Sequence, residues 1–280
     1  MNPKIVVIGG SGAIGSRVVD KLKEKGVDAV AASPDTGVYA VSGEDASGAL
    51  EGAEIVIDVA NAPSFEDQAA WDFFQIAGED LAVAEVGDAI NFFHTAHQNL
   101  AAAEVAARVK HHVALSVVGI ENLQDGAYFR AKLMQENAIK GSPIPFTIVR
   151  ATQLFEYLRP MAQAGADGDT VRVSHSLFQP VAADDIANAL AEVALEAPAN
   201  GTVEVAGPDV FYIDDLIARV LDDDGDPRNV ARKDPDGRFF GIQLNEQSLL
   251  PGPDARLGST TVDSWLGQNP APKTSHSQSG

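Results

Sequence analysis

The chain has 280 residues, 45% of them apolar, which is enough for one large α/β domain or a domain with a small appendage. Its formal net charge of −20 repels nucleic acid and anionic membrane at long range, and the lack of cysteine excludes disulfides, thiolate metal sites and cysteine nucleophiles. No apolar run is long enough to span a bilayer and no apolar signal segment precedes the first strand, so a cytoplasmic protein without membrane or nucleic-acid partners is expected.

Lys4–Ile8 is a short β-branched run and predicts a buried strand. It passes at once into Gly9-Gly10-Ser11-Gly12-Ala13-Ile14-Gly15, and then into Ser16–Leu22, which has helical spacing. Strand, glycine turn and helix in that order suit a dinucleotide pyrophosphate. The glycines allow a tight turn and a close approach, and the helix N-terminus offers unpaired N–H groups and the positive dipole end. Further strands are expected at Ala29–Ala32, Val38–Val41 and Glu54–Ala60, with a short helix at Ala46–Leu50 ended by Gly52. The stretch Phe65–Phe93 is long for a connection and carries Trp71, Phe73, Phe74, Phe92 and Phe93. It reads equally as a packed helical insertion or as a flap or subunit contact beside the cofactor.

An alanine-rich helix follows at Asn99–Lys110, then a strand at Val113–Val118, a helix at Tyr128–Lys140 and a strand at Phe146–Arg150. This alternation predicts an α/β fold with a Rossmann-like, doubly wound parallel sheet. Beyond residue 150 the pattern is less regular. Val171–Val173 and Thr202–Val205 read as short strands. Ile186–Leu195, with Asp184-Asp185 as its acidic start and N-cap, and Ile213–Leu221 read as helices. We expect one domain over residues 1–266, with a small substrate-facing lobe mainly from 151–266, and a disordered tail over 267–280.

Ser116 lies in the strand that ends at Val118, and ligands gather at the carboxyl edge of such sheets. Twelve residues on, Tyr128 and Lys132 stand at i and i+4, on one helical face. A free tyrosine titrates near pH 10, and a neighbouring ammonium favours its phenolate, which makes it a workable acid or base at neutral pH. Ser116 would hold the substrate oxygen while Tyr128 passes the proton.

With these residues the chain resembles the short-chain dehydrogenase/reductase superfamily, and more narrowly its atypical, NmrA-like, NAD(P)H-binding branch. The resemblance rests on Gly9–Gly15, on Asp58-Val-Ala-Asn-Ala-Pro63, on Ser116 with Tyr128-x-x-x-Lys132, on Thr147–Ala151 and on Gln179–Ile186. It implies that Gly9, Ser11, Gly12, Ala13, Ile14 and Gly15 line the pyrophosphate. It implies that Gly43 and Glu44 lie near adenine and that Val59, Ala60 and Asn61 flank the inner ribose. Lys132 would hold the nicotinamide ribose. Arg150, Ala151 and Thr152 would pass the nicotinamide carboxamide, with Gln153, Leu154 and Phe155 entering the substrate side. Many such relatives lack the tyrosine and act as redox sensors, whereas this chain keeps both Tyr128 and Lys132.

After the second strand, Ser33 suits a phosphate oxygen and Arg17 is placed to reach the same point, while Asp35 suits ribose hydroxyls. The expectation leans to NADP(H) over NAD(H). The reading is therefore a carbonyl or alcohol oxidoreductase using a small-molecule substrate, with Ser116, Tyr128 and Lys132 catalytic. A non-catalytic NAD(P) sensor and a cofactor-retaining epimerase are the alternatives, and a homo-oligomer is left open. His94 and His97 lie three apart but have no third ligand nearby, so no metal is expected. His111 and His112 are expected at the solvent end of their strand. Asn99, Glu156 and Tyr157 read as either structural or pocket residues.

Overall fold

The computed structural model describes residues 3–38, 46–60, 95 and 98–271. Most of the strand expected at 38–41, the residues Gly43, Glu44 and Asn61, the aromatic stretch 65–93, His94, His97 and the end of the tail lie outside them.

Among the described residues, seven parallel strands form one sheet. In chain order they are β1 (Lys4–Ile8), β2 (Asp28–Ala32), β3 (Ile55–Asp58), β4 (His111–Val117), β5 (Phe146–Ala151), β6 (Gly201–Ala206) and β7 (Arg256–Leu257). Their order across the sheet is β7-β6-β5-β4-β3-β1-β2. The order reverses at β1, with β2 on one side and β3 on the other. The crevice at that switch point, at the carboxyl ends of the strands, is where such sheets bind ligands.

The strands alternate, and the alternation assigns their faces. Ile5, Val7, Ile55, Ile57, Val113, Val149 and Ala151 pack into one cluster with α1 (Ala13–Glu24) and with the helix Ala183–Leu195. The opposite face carries Val6, Ile8 and Val56 against the helical residues 98–107, and Ala114 and Ile148 against Ile139 of the helix Ala127–Gly141. We call the helices 98–107, Ala127–Gly141 and Ala183–Leu195 α2, α3 and α4. On this second face the last inward side chains of three adjacent strands are polar: Asp58 on β3, Ser116 on β4 and Arg150 on β5. Ser116 and Arg150 stand directly opposite each other in register.

The segments after residue 150 build a second core. It contains Phe155, Leu158, Phe178, Ile213, Leu216, Phe239 and Trp265, and Val117 and Tyr128 pack against it. The helix Val262–Gln268 carries regular structure past residue 266.

Two expectations are corrected. His111 and His112 lie inside β4 and are buried, because each finds a polar partner: Thr147 Oγ1 at 2.9 Å for His111 and Glu104 Oε1 at 2.6 Å for His112. Asp184 and Asp185 do not cap α4, whose N-cap is Ala182. They occupy its first turn, where carboxylates suit the dipole, and Asp185 accepts from the N–H of Thr260 at 2.9 Å.

Candidate active site

Three glycines of the loop have no room for a side chain. At Gly9, where φ is +77°, a Cβ would lie 2.9 Å from the Cα of Ala60. At Gly10 it would lie 2.7 Å from the Cα of Ala31, and at Gly15 2.1 Å from the carbonyl oxygen of Gly9. The loop is thus pressed between the ends of β2 and β3, and α1 starts directly against it. Gly12 is the N-cap, no side chain bonds to the first turn, and no acid lies in it. The first i→i−4 bond runs from the N–H of Ser16 to the oxygen of Gly12. The N–H groups of Ala13, Ile14 and Gly15 therefore form the open positive end of α1, which fits a pyrophosphate. Ser11 differs, because its N–H donates to Ser33 Oγ at 3.0 Å.

Val59 and Ala60 follow β3, where Asp58 Oδ1 accepts from the N–H of Ala60 at 3.0 Å. At the end of β2, Ser33 is buried and capped by Thr36, while Asp35 is exposed. Arg17 is committed elsewhere. Its Nε pairs with Asp184 of α4 at 2.9 Å, and its guanidinium also donates to the oxygen of Ala13.

The polar stripe under α3 forms two linked networks. Lys132 is only 5% exposed, and its Nζ donates to the carbonyl of Leu115 at 2.7 Å and to Gln135 Oε1 at 2.6 Å. Gln135 Nε2 in turn donates to Asp58 Oδ2 at 2.9 Å. Burial lowers the Lys132 pKa to about 8, although the charges of Asp58 and Glu136 resist the fall. Glu136 is also buried, and it accepts from Ser116 Oγ at 2.6 Å, from Arg150 Nε at 2.8 Å and from Lys140 Nζ at 3.0 Å. Burial opposes its charge, but the hydrogen bonds from Arg150, Ser116 and Lys140 outweigh burial and hold the carboxyl below its ordinary range. Arg150 also reaches Glu121 at 2.6 Å.

Of the three expected catalytic residues, Tyr128 and Lys132 both lie on α3, four residues apart, a spacing of about one turn. Tyr128 is partly buried and packs edge-on to Phe129, ring centroids 5.3 Å apart. Ser116 does not present an open hydroxyl. It is 4% exposed and donates to Glu136, which lies two turns beyond Tyr128, about 12 Å along the helix axis. The physical reason is the buried carboxylate, which needs donors on every side. Past β5, Thr152 Oγ1 donates to the carbonyl of Gln179 at 2.6 Å.

Asp58, Gln135 and Glu136, which hold Lys132 and Ser116 in these networks, are residues that sequence reasoning missed. The signal was present: Lys132, Gln135, Glu136 and Ile139 share one helical face, and two uncharged-to-acidic residues on an otherwise inward face imply buried partners.

The family model described as NAD(P)H-binding matches residues 9–197. No curated protein sequence matches the chain. Among solved structures, the chain is similar to MoeE5 in complex with UDP-glucose and NAD, at 15% identity and a TM-score of 0.67, covering 94% of this chain and 96% of that one. It is similar to the Citrobacter sp. triphenylmethane reductase complexed with NADP(H), at 20% identity and a TM-score of 0.57, covering 81% and 78%. It is also similar to the NADPH-dependent quinone oxidoreductase QOR2 of Escherichia coli, at 18% identity and a TM-score of 0.60, covering 81% and 77%. Loop glycines with no room for a Cβ, an uncapped helix N-terminus at the switch point and a family match over more than half the chain agree: this protein belongs to the NAD(P)H-binding family.

Proposed function

We propose that this protein is an NAD(P)(H)-dependent oxidoreductase acting on a carbonyl or the matching alcohol, with Tyr128 as the proton donor or acceptor. The observation that carries the reading is Lys132: a buried ammonium held at the carboxyl edge of the sheet, one turn from Tyr128. A nicotinamide held at this edge would supply hydride chemistry at the carbonyl or alcohol carbon. Tyr128 gives its phenolic proton to the substrate oxygen in reduction and receives it in oxidation. The Lys132 ammonium stabilises the phenolate left behind. Gln135 and Asp58 position that ammonium, and Ser116 serves the site through Glu136 and Arg150 rather than by touching substrate.

The lean to NADP(H) rested on Arg17 joining Ser33. With Arg17 paired to Asp184, and no Lys or Arg between Ser33 and Ala53, a 2′-phosphate would meet Asp35 without a counter-charge. A ribose diol suits Ser33 and Asp35 better, so the reading turns to NAD(H).

The test is cofactor consumption with a panel of ketones, aldehydes and quinones, run with NADH and with NADPH. Steady consumption, faster with NADH at limiting cofactor, is expected. Intact binding with no turnover on any of them would favour a sensor, and no net consumption during stereochemical inversion of a sugar would favour an epimerase.

A further inference from the structure

Tyr128 packs on the second core, to which three segments contribute beside it: Ile120 and Leu123 before α3, Phe155 and Leu158 after β5, and Ile242 and Leu249. The last segment lies directly against the start of α3. A Cβ at Gly119 would lie 2.1 Å from the carbonyl oxygen of Ser248, and one at Gly126 3.0 Å from Cδ1 of Ile242. Residues 118–126, 152–158 and 239–250 therefore form the ground beside Tyr128. None of these segments contains a Lys or Arg, and their charged residues are Glu121, Asp125, Glu156 and Glu246. The sequence between Lys25 and Arg108 also holds neither Lys nor Arg.

The cations that do reach this end of the molecule are held by the protein's own oxygens. Arg150 donates to Glu136 at 2.8 Å and to Glu121 at 2.6 Å. Arg130 donates to the carbonyls of Gln124 at 2.7 Å and Asp125 at 3.0 Å. Lys132 is buried on the Leu115 carbonyl and Gln135. In the lobe, Arg159, Arg172, Arg219, Arg228, Arg232 and Arg256 each pair with an Asp or Glu. Arg238 donates to the carbonyls of Pro235 and Gly237, and Lys233 stands beside Asp234 with its N–H on buried Asp214. A substrate phosphate or carboxylate at Tyr128 would leave water among acids, without a counter-charge from the segments beside it. Recruiting Arg150 would orphan carboxylates, one of them the buried Glu136. A carbonyl needs only a donor, and apolar side chains suit the rest of an uncharged molecule.

We infer that the substrate carries no negative charge. It is an uncharged, largely apolar carbonyl compound or the matching alcohol, and phosphorylated and carboxylate-bearing compounds are excluded. The inference deepens the oxidoreductase reading and rests on it for the place of Tyr128 beside the substrate.

The test uses two ketones of nearly the same shape, 4-acetylbenzoate and its methyl ester. Each is titrated by calorimetry into the full-length protein loaded with NAD⁺, at low salt and at 1 M NaCl, and NADH consumption is followed in parallel. The ester is expected to bind at least about tenfold more tightly than the carboxylate at both salt concentrations. At 1 M salt the Debye length is about 3 Å, so long-range repulsion by the net charge of −20 is screened and the local lack of a counter-charge remains. Equal or tighter binding of the carboxylate overturns the inference. A gap that disappears at 1 M salt overturns it too, as does an ester that does not bind. Selective binding of the ester without NADH consumption supports the charge selection and counts against the oxidoreductase reading instead.

Discussion

At the level of single residues, the site is governed by how a buried lysine keeps its charge. Lys132 loses solvation, and its ammonium survives because the Leu115 carbonyl and Gln135 Oε1 accept hydrogen bonds from it and Asp58 stands behind Gln135. The lowered pKa of about 8 sets the sign of the pH dependence: the positive charge is present below it and is lost as pH rises through it. Replacing Asp58 by Asn removes the nearer counter-charge and forces Gln135 to face an amide. The alkaline limb of the pH–rate profile is then expected to move down by roughly one unit. A profile measured from pH 6 to 10 checks this, and an unmoved limb would separate Lys132 from the rate. The Tyr–Lys spacing was legible in the sequence because it is local to one helix. The Asp58–Gln135 link was not, since it joins positions 77 residues apart through the packing of α3 on β3.

At the level of elements, β4 shows how tertiary partners override a local reading. Two adjacent histidines before an apolar run read as a solvated strand end. The structure buries both, one on each face of the sheet, because α2 delivers Glu104 to His112 and β5 delivers Thr147 to His111. Their titrations oppose each other. For His112, burial is outweighed by Glu104, so its pKa is raised. For His111, burial dominates and lowers the pKa from 6.5 to about 4. A histidine depressed in the folded state contributes full stability above pH 6.5 and loses it as pH falls towards 4. The His111 term amounts to roughly 3 kcal/mol across that window. Replacing His111 by Gln should therefore flatten the loss of unfolding free energy between pH 6.5 and 4, measured by urea denaturation at several pH values. An equally steep loss in the variant would assign the acid sensitivity elsewhere. The same lesson applies at α4, where Asp185 looked like a cap until the segment after β7 supplied the Thr260 N–H.

At the level of the whole molecule, the parallel topology collects distant segments along one carboxyl edge. The glycine loop after β1, Val59 and Ala60 after β3, the Lys132 ammonium over β4 and the Thr152–Gln153 segment after β5 all meet there. Strand–glycine–helix order and strand–helix alternation made this architecture readable from the sequence, because each βα unit carries its own local signals. The lobe after residue 150 was harder to read. Its short strands and the helices Leu158–Ala164 and Val262–Gln268 take their order from the core around Phe155, Phe178 and Trp265 rather than from periodicity. Ser116 shows the limit most clearly, since its partner Glu136 is set by the docking of α3 and not by the spacing to Tyr128. In the proposed function this edge joins a dinucleotide site to a proton-transferring tyrosine. The direct measurement is turnover and NAD(H) affinity of Tyr128→Phe beside the unaltered protein. Turnover lower by about 10²–10⁴-fold with affinity unchanged is the predicted result, and full turnover in the variant would contradict the account.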